Sequence, residues 1–175
     1  MKKPTFFVVL GLFALYSCKT ATSQTNDNSK TQPSVVNKAA GNQGSEEADG
    51  PVHLTRETFL ANIWDYNNSP KVWKYKGNKP AIIDFYADWC GPCKTASPIL
   101  EEVIKSYGGR IAFYKVNTDQ EKELAAVFRI TSIPAFLYIP ANGKPVIMAG
   151  IARSKEDTKN MFIENIGKYL LQTIN

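Results

Sequence analysis

Cysteine, histidine and long hydrophobic runs are all scarce in this chain of 175 residues. Three cysteines are too few for a disulfide-dense miniprotein, and the composition excludes a collagen-like fibre. The length excludes tandem large domains. The apolar run at residues 6–16 would cross only about half of a bilayer as a helix. The net charge of +5 is spread along the chain, so we expect no nucleic-acid binding.

The first eighteen residues have the features of an export signal. Lys2 and Lys3 precede the apolar run, which predicts a signal peptide over residues 1–17. The run ends in Leu15-Tyr16-Ser17-Cys18, which resembles the lipobox of bacterial lipoproteins. The resemblance implies that Cys18 carries a lipid and anchors the protein on the periplasmic side of the cell envelope. The alternative is a soluble periplasmic protein, in which Cys18 is discarded or left as a free thiol.

Residues 18–50 differ in composition from residues 51–175. After Cys18 they are rich in Thr, Ser, Asn, Gln, Gly and Ala and lack a sustained apolar period. Such a segment cannot bury enough apolar surface to offset the entropy of ordering, so it is predicted to be a flexible tether. Residues 51–175 are long enough for one domain with one core.

The pattern of this domain predicts an α/β fold. Helices are expected from Thr55, as its cap, to about Tyr66, from Cys90 to Tyr107, over 120–128 and from Ser154 onward. Strands are expected at 81–86, 111–116, 135–139 and 146–149, with a loop at 67–79 and a hairpin turn at Asn142-Gly143. Two βα units followed by a hairpin and a helix indicate a mixed sheet covered by helices. The aromatic residues Trp73 and Tyr75 of the loop are expected to pack beside the core.

The chemistry is concentrated at Trp89-Cys90-Gly91-Pro92-Cys93-Lys94. Two cysteines separated by two residues at a strand-to-helix junction place one sulfur beside the unpaired amides of the helix. The helix N-terminus favours the thiolate, so Cys90 is the predicted nucleophile, with a pKa below its usual range. Cys93 is then the resolving thiol. Half of a zinc site is the alternative, but His53 is the only histidine and there is no second cysteine pair, so we expect no metal.

Asp84 interrupts an otherwise apolar strand. Burying a carboxylate there is costly unless it has a partner or a task. A buried Asp84 would have a raised pKa and could accept the proton of Cys93. A solvent-facing position on an edge strand is the alternative, which the flanking residues Ile82, Ile83 and Phe85 disfavour.

The segment from Ile83 to Lys94, followed by Pro98 and then by Ile133-Pro134 forty-one residues beyond Cys93, resembles the thioredoxin family. The resemblance covers essentially the whole domain. It implies a thioredoxin fold with a four- to five-stranded mixed sheet, helices on both faces and a cis peptide bond at Pro134. It also implies that the only redox group is the Cys90–Cys93 disulfide and that the protein needs no further cofactor.

The resemblance implies roles for several other residues. Lys115 corresponds to the lysine near the buried acid of the family and would tune Asp84. Ile133 would offer its backbone to an extended substrate peptide. The contact surface for substrate would consist of Trp89, Gly91, Pro92, Ile133, Pro134, Gly150 and Ile151.

The predicted activity is that of a monomeric protein disulfide oxidoreductase. The Gly91-Pro92 pair resembles that of the reducing members, so we expect reduction of disulfides in exported proteins and recycling by a membrane electron donor. One alternative is a thiol reductase for cytochrome c maturation, although the spacing between Cys93 and Pro134 leaves no room for the extra segment usual there. Others are an oxidant or isomerase of secreted proteins, and a redox-inert binding module with the same fold.

Overall fold

The computed structural model describes residues 50–171. The predicted signal peptide at 1–17, the predicted lipid attachment at Cys18, the tether up to residue 49 and residues 172–175 lie outside the described residues. Among the helices of the described part, none is long and apolar enough to cross a membrane.

Strands and helices alternate over the first two thirds of the domain. In chain order the elements are β1 (Val52–His53), α1 (Arg56–Asn62), β2 (Ala81–Tyr86), α2 (Gly91–Ser106), β3 (Ala112–Asn117), α3 (Lys122–Val127), β4 (Ala135–Ile139), β5 (Val146–Ala149) and α4 (Lys155–Tyr169). The five strands form one sheet in the order β1-β3-β2-β4-β5. The first three are parallel, whereas β4 and β5 run antiparallel to their neighbours. The predicted mixed sheet is therefore confirmed.

The apolar core lies on both faces of the sheet. On one face, Phe59 of α1 and Leu124 of α3 pack in a cluster with Ile83 and Phe85 of β2. On the other face, residues of α2 and α4, including Leu100 and Phe162, pack with Ile82 of β2. Because successive strand residues point to opposite faces, Asp84 faces the same side as Ile82, toward α2 and α4. Helices cover both faces, as predicted.

The first predicted helix is shorter than the sequence pattern indicates. It begins after Thr55, whose side chain accepts from the amide of Thr58, but it ends at Asn62 rather than near Tyr66. The chain turns instead at Asp65, whose carboxylate accepts from the amide and side chain of Asn68. Such local side-chain bonds offer the backbone an alternative to the helix. Strand β1 was not predicted, because two exposed residues carry no periodic signal.

The segment at residues 67–79 packs against the core of the first face. The ring of Trp73 lies 5.1 Å from that of Trp64 and stacks on that of Tyr75 at 6.4 Å, with both residues half-buried. The indole nitrogen of Trp64 donates to the carbonyl of Val72. The two aromatic residues thus serve as satellite packing, as expected from the sequence.

Candidate active site

The two cysteines lie at the first turn of α2 and form a disulfide bond. Cys90 is the N-cap residue, and its Sγ accepts a hydrogen bond of 3.2 Å from the amide of Cys93. Pro92 occupies the first turn, where its missing N–H costs no helical hydrogen bond. The sequence therefore places the sulfur of Cys90 on the unpaired amides of the helix, where an anion is stabilised.

The connection between β2 and α2 is fixed by contacts to the end of β3. The indole nitrogen of Trp89 donates to Asp119 Oδ2 at 2.9 Å, and the side-chain amide of Asn117 donates to Asp88 Oδ2 at 3.2 Å. Trp89 is nevertheless 71% exposed, whereas Cys90 and Cys93 are each only 2% exposed. An exposed aromatic side chain thus stands directly beside two shielded sulfurs.

Asp84 is completely buried, as its position in an apolar strand predicts. Its Oδ2 accepts a hydrogen bond of 2.5 Å from the hydroxyl of Ser97 and lies 3.8 Å from the ammonium nitrogen of Lys115. Burial raises the pKa of the Asp84 carboxyl, and the hydrogen bond from Ser97 and the charge of Lys115 oppose that rise. A raised pKa suits a group that takes up a proton near neutral pH.

Lys115 connects the buried carboxylate with the surface. It lies opposite Asp84 in the register of β2 and β3, and its side chain is 16% exposed. Its ammonium group is 4.6 Å from the centre of the Tyr86 ring. The hydroxyl of Tyr86 is in turn 3.4 Å from Nδ1 of His53.

The peptide bond between Ile133 and Pro134 is cis, as the resemblance implied. Pro134 is buried, and its carbonyl accepts a hydrogen bond of 2.8 Å from the amide of Gly150. Ile133 packs against the small cluster of Ala87, Cys90 and Cys93. Within residues 50–171, neither the N–H nor the C=O of Ile133 makes a backbone hydrogen bond. The backbone of Ile133 is therefore free to pair with an extended peptide beside the sulfurs.

A groove of about 420 Å³ runs along the dithiol. It is lined by the predicted nucleophile Cys90 and by four of the seven predicted contact residues, namely Trp89, Gly91, Pro92 and Ile133. Thr118, Ala125, Ile130, Thr131 and Ser132 also line it. Pro134, Gly150 and Ile151 do not line it. Gly150 instead holds the carbonyl of Pro134, and Ile151 packs half-buried against the core of the second face.

Several groove residues and Ser97 were not identified from the sequence. Thr131 and Ser132 directly precede Ile133-Pro134, and Thr118 follows the end of β3, so their positions in the chain offered a signal. Ser97 lies four residues after Cys93 in α2, and this spacing puts two helical side chains on the same face. No group of three or more potential metal-ligating side chains occurs within residues 50–171.

Comparisons with known proteins agree with this geometry. The family model described as Thioredoxin matches residues 61–164. The thioredoxin of Borreliella burgdorferi is 48% identical over 99 residues, which are 57% of this chain and 84% of that protein. The M-type chloroplastic thioredoxin of Spinacia oleracea is 35% identical over 109 residues, which are 62% of this chain but only 58% of that protein.

A solved structure shares the fold. Chloroplastic thioredoxin z superimposes with a TM-score of 0.51 over 66% of this chain and 93% of its own, at 21% sequence identity. The family model, the curated relatives and the disulfide between Cys90 and Cys93 agree. This chain belongs to the thioredoxin family and is a thiol-disulfide oxidoreductase with the thioredoxin fold.

Proposed function

We propose that this protein reduces disulfide bonds of exported proteins in the cell envelope, where a lipid on Cys18 holds it on the periplasmic side of a membrane. One observation carries the catalytic part of the proposal. Cys90 of the Cys90–Cys93 disulfide lines an open groove, and the dithiol helix contacts a buried carboxylate through Ser97, one turn after Cys93. Cys90 is thus reachable by a substrate from the groove, and Asp84 is the proposed proton acceptor on the buried side of the dithiol helix.

The reaction proceeds in two exchanges. The Cys90 thiolate attacks one sulfur of a substrate disulfide, forms a mixed disulfide and releases the other substrate sulfur as a thiolate, which takes a proton from water. Cys93 then gives its proton to Asp84 and attacks Cys90 Sγ. The bond between Cys90 and the substrate breaks, and the Cys90–Cys93 disulfide forms. Two electrons pass to the substrate, and Asp84 returns its proton to solvent or to the departing thiolate.

The groove supports recognition of an extended peptide. Trp89 and Ile133 supply apolar contacts on either side of Cys90, and the unpaired backbone of Ile133 supplies hydrogen bonds. This mode reads the backbone of the substrate and tolerates many side chains. It suits an enzyme that acts on several exported proteins.

The pair between the cysteines supports the proposed direction of electron flow. Gly91-Pro92 resembles the pair of the reducing members of the family, whose redox potentials are about −270 mV. It does not resemble the pair of the strong oxidants, whose potentials are about −120 mV. A reductase in the envelope must be recycled after each turnover. A membrane electron donor that delivers two electrons and two protons to the Cys90–Cys93 disulfide completes the cycle.

The proposal is tested by trapping substrates in cells. The variant Cys93→Ser can form the mixed disulfide through Cys90 but cannot resolve it, so envelope proteins should accumulate in complexes that dithiothreitol releases. The double variant Cys90→Ser/Cys93→Ser is the control and should trap nothing. Adding Cys18→Ala to Cys93→Ser should move the complexes from the membrane fraction to the soluble fraction. Trapping of cytoplasmic proteins alone would contradict an envelope role.

A further inference from the structure

Ser97 provides the shortest polar contact of the buried carboxylate. Its hydroxyl donates to Asp84 Oδ2 at 2.5 Å, whereas the ammonium nitrogen of Lys115 is 3.8 Å from the same oxygen. Ser97 is only 8% exposed and Asp84 is not exposed at all. The bond is therefore shielded from water, where a hydrogen bond to a charged group is strong.

Ser97 belongs to the helix that carries the dithiol. It follows Cys93 by four residues, so both side chains lie on the face of α2 that points toward β2. The hydrogen bond to Asp84 consequently connects the dithiol helix directly with the central strand. Among the described residues, Asp84 Oδ1 has no hydrogen-bond partner. Ser97 occupies one carboxylate oxygen and leaves the other free.

We propose that Ser97 is a positioning residue of the exchange reaction: its hydroxyl holds Asp84 against the dithiol helix, with Oδ1 free to accept the proton of Cys93. This inference rests on the proposed role of Asp84 as proton acceptor. A serine hydroxyl stabilises the ionised carboxylate by donating to it. It also fixes the rotation of the carboxylate about its Cβ–Cγ bond. Both effects favour the form of Asp84 that can take up a proton.

The remaining groups near Asp84 do not replace Ser97. Lys115 reaches the carboxylate from β3, whereas Cys90 caps α2 and Cys93 lies in its first turn. Burial raises the pKa of Tyr86 on the same strand and raises that of Tyr138 on β4 to about 12, so both phenols remain neutral between pH 5 and 9. Loss of the Ser97 hydroxyl would leave only the longer contact from Lys115.

The test compares two serines of the same helix. Ser97→Ala removes the hydroxyl that binds Asp84, whereas Ser106→Ala removes a hydroxyl that donates to the backbone carbonyl of Val103 at 2.6 Å. The rate of disulfide reduction is measured from pH 5 to 9 with the full chain and a protein disulfide as substrate. In Ser97→Ala we expect the decline of the rate at acidic pH to set in at a pH that is higher by about one unit. The profile of Ser106→Ala should match that of the unmodified protein.

Two further measurements make the outcome decisive. The carboxyl carbon of Asp84, followed by NMR, should titrate at higher pH in Ser97→Ala, and Ser97→Thr should restore the original titration by supplying a hydroxyl. A Ser97→Ala profile and titration that coincide with those of the unmodified protein would overturn the inference, while leaving the oxidoreductase function intact. Loss of activity in Cys90→Ser tests that function separately.

Discussion

Lys115 and Asp84 lie opposite each other in adjacent parallel strands, with the ammonium nitrogen 3.8 Å from Oδ2 of the carboxylate. Burial raises the pKa of Asp84, and the charge of Lys115 partly offsets that rise. The carboxyl behind the dithiol therefore combines a buried site with a nearby cation. The balance between burial on one side and the contacts from Ser97 and Lys115 on the other determines at which pH Asp84 can accept a proton.

Replacing Lys115 should make the reaction more sensitive to acid. In Lys115→Gln the favourable charge is lost, so the pKa of Asp84 rises further and the fraction of ionised Asp84 at a given pH falls. We expect the rate of disulfide reduction to decline at higher pH than in the unmodified protein, with little change at pH 9. Lys105→Gln is the control, since Lys105 pairs with Glu101 at the surface. Equal pH profiles for Lys115→Gln and Lys105→Gln would contradict the role of Lys115.

Replacing Asp84 should stabilise the fold. Because its pKa is raised in the folded state, Asp84 binds its proton more tightly in the folded than in the unfolded chain. The free energy of unfolding therefore falls as the pH rises from about 4 through the folded pKa, and stays low above it. Asp84→Asn removes this loss and should be more stable at pH 7, by about 1.4 kcal/mol for each unit by which folding raises the pKa of Asp84.

Urea denaturation at a series of pH values measures this effect. The gain in Asp84→Asn should be smallest below pH 4 and should grow with pH, while Glu164→Gln, at an exposed position of α4, should show no such trend. A variant that is less stable at every pH would show that the carboxylate is a structural requirement.

Trp89 should matter for protein substrates and much less for small ones. Its side chain is 71% exposed beside Cys90 and lines the groove. Trp89→Ala removes this contact, and we expect kcat/KM for a protein disulfide to fall by about tenfold. With a small aromatic disulfide the change should be within about twofold. Asp119→Asn is a matched control, because the amide oxygen of asparagine can still accept from the indole. An equal loss with both substrates would place the effect on the chemistry and not on recognition.

Trp73 should contribute to stability and not to exchange. It is half-buried among the aromatic rings of Trp64, Tyr75 and Phe128. We expect Trp73→Ala to lower the free energy of unfolding by about 2–4 kcal/mol and to leave kcat/KM of the folded protein unchanged. Val72→Ala, next to it but exposed, should change stability by less than about 0.5 kcal/mol. A change in kcat/KM would instead assign the 67–79 segment a part in substrate access.

The sequence predicted the central strand, the dithiol helix and the buried Asp84 because each has a strong local signal. The apolar run that Asp84 interrupts predicts a buried strand with one acid in it. The two cysteines that follow predict the start of a helix, with Cys90 as its cap and Cys93 on its buried side. The boundary of α1 was missed, since the side-chain turn at Asp65 competes with helical periodicity over a few residues. Strand β1 was missed because two residues form no pattern.

The site was predictable where the chain itself brings residues together. Cys90 and Cys93 are neighbours in sequence, whereas the contact of Ser97 with Asp84 depends on how α2 lies against β2. The helical spacing from Cys93 could have indicated Ser97, but only once the inward face of α2 was known. Thr118 enters the groove from a third element, which no local pattern indicates.

The equilibrium redox potential of the Cys90–Cys93 pair tests the proposed function most directly. Cys18→Ser leaves these two as the only cysteines, so thiol trapping in dithiothreitol and glutathione buffers reports on them alone. We expect a potential of about −270 mV, which is well below that of strong oxidants and typical of a reductase. A potential of about −120 mV would contradict the account and make the protein an oxidant of exported proteins.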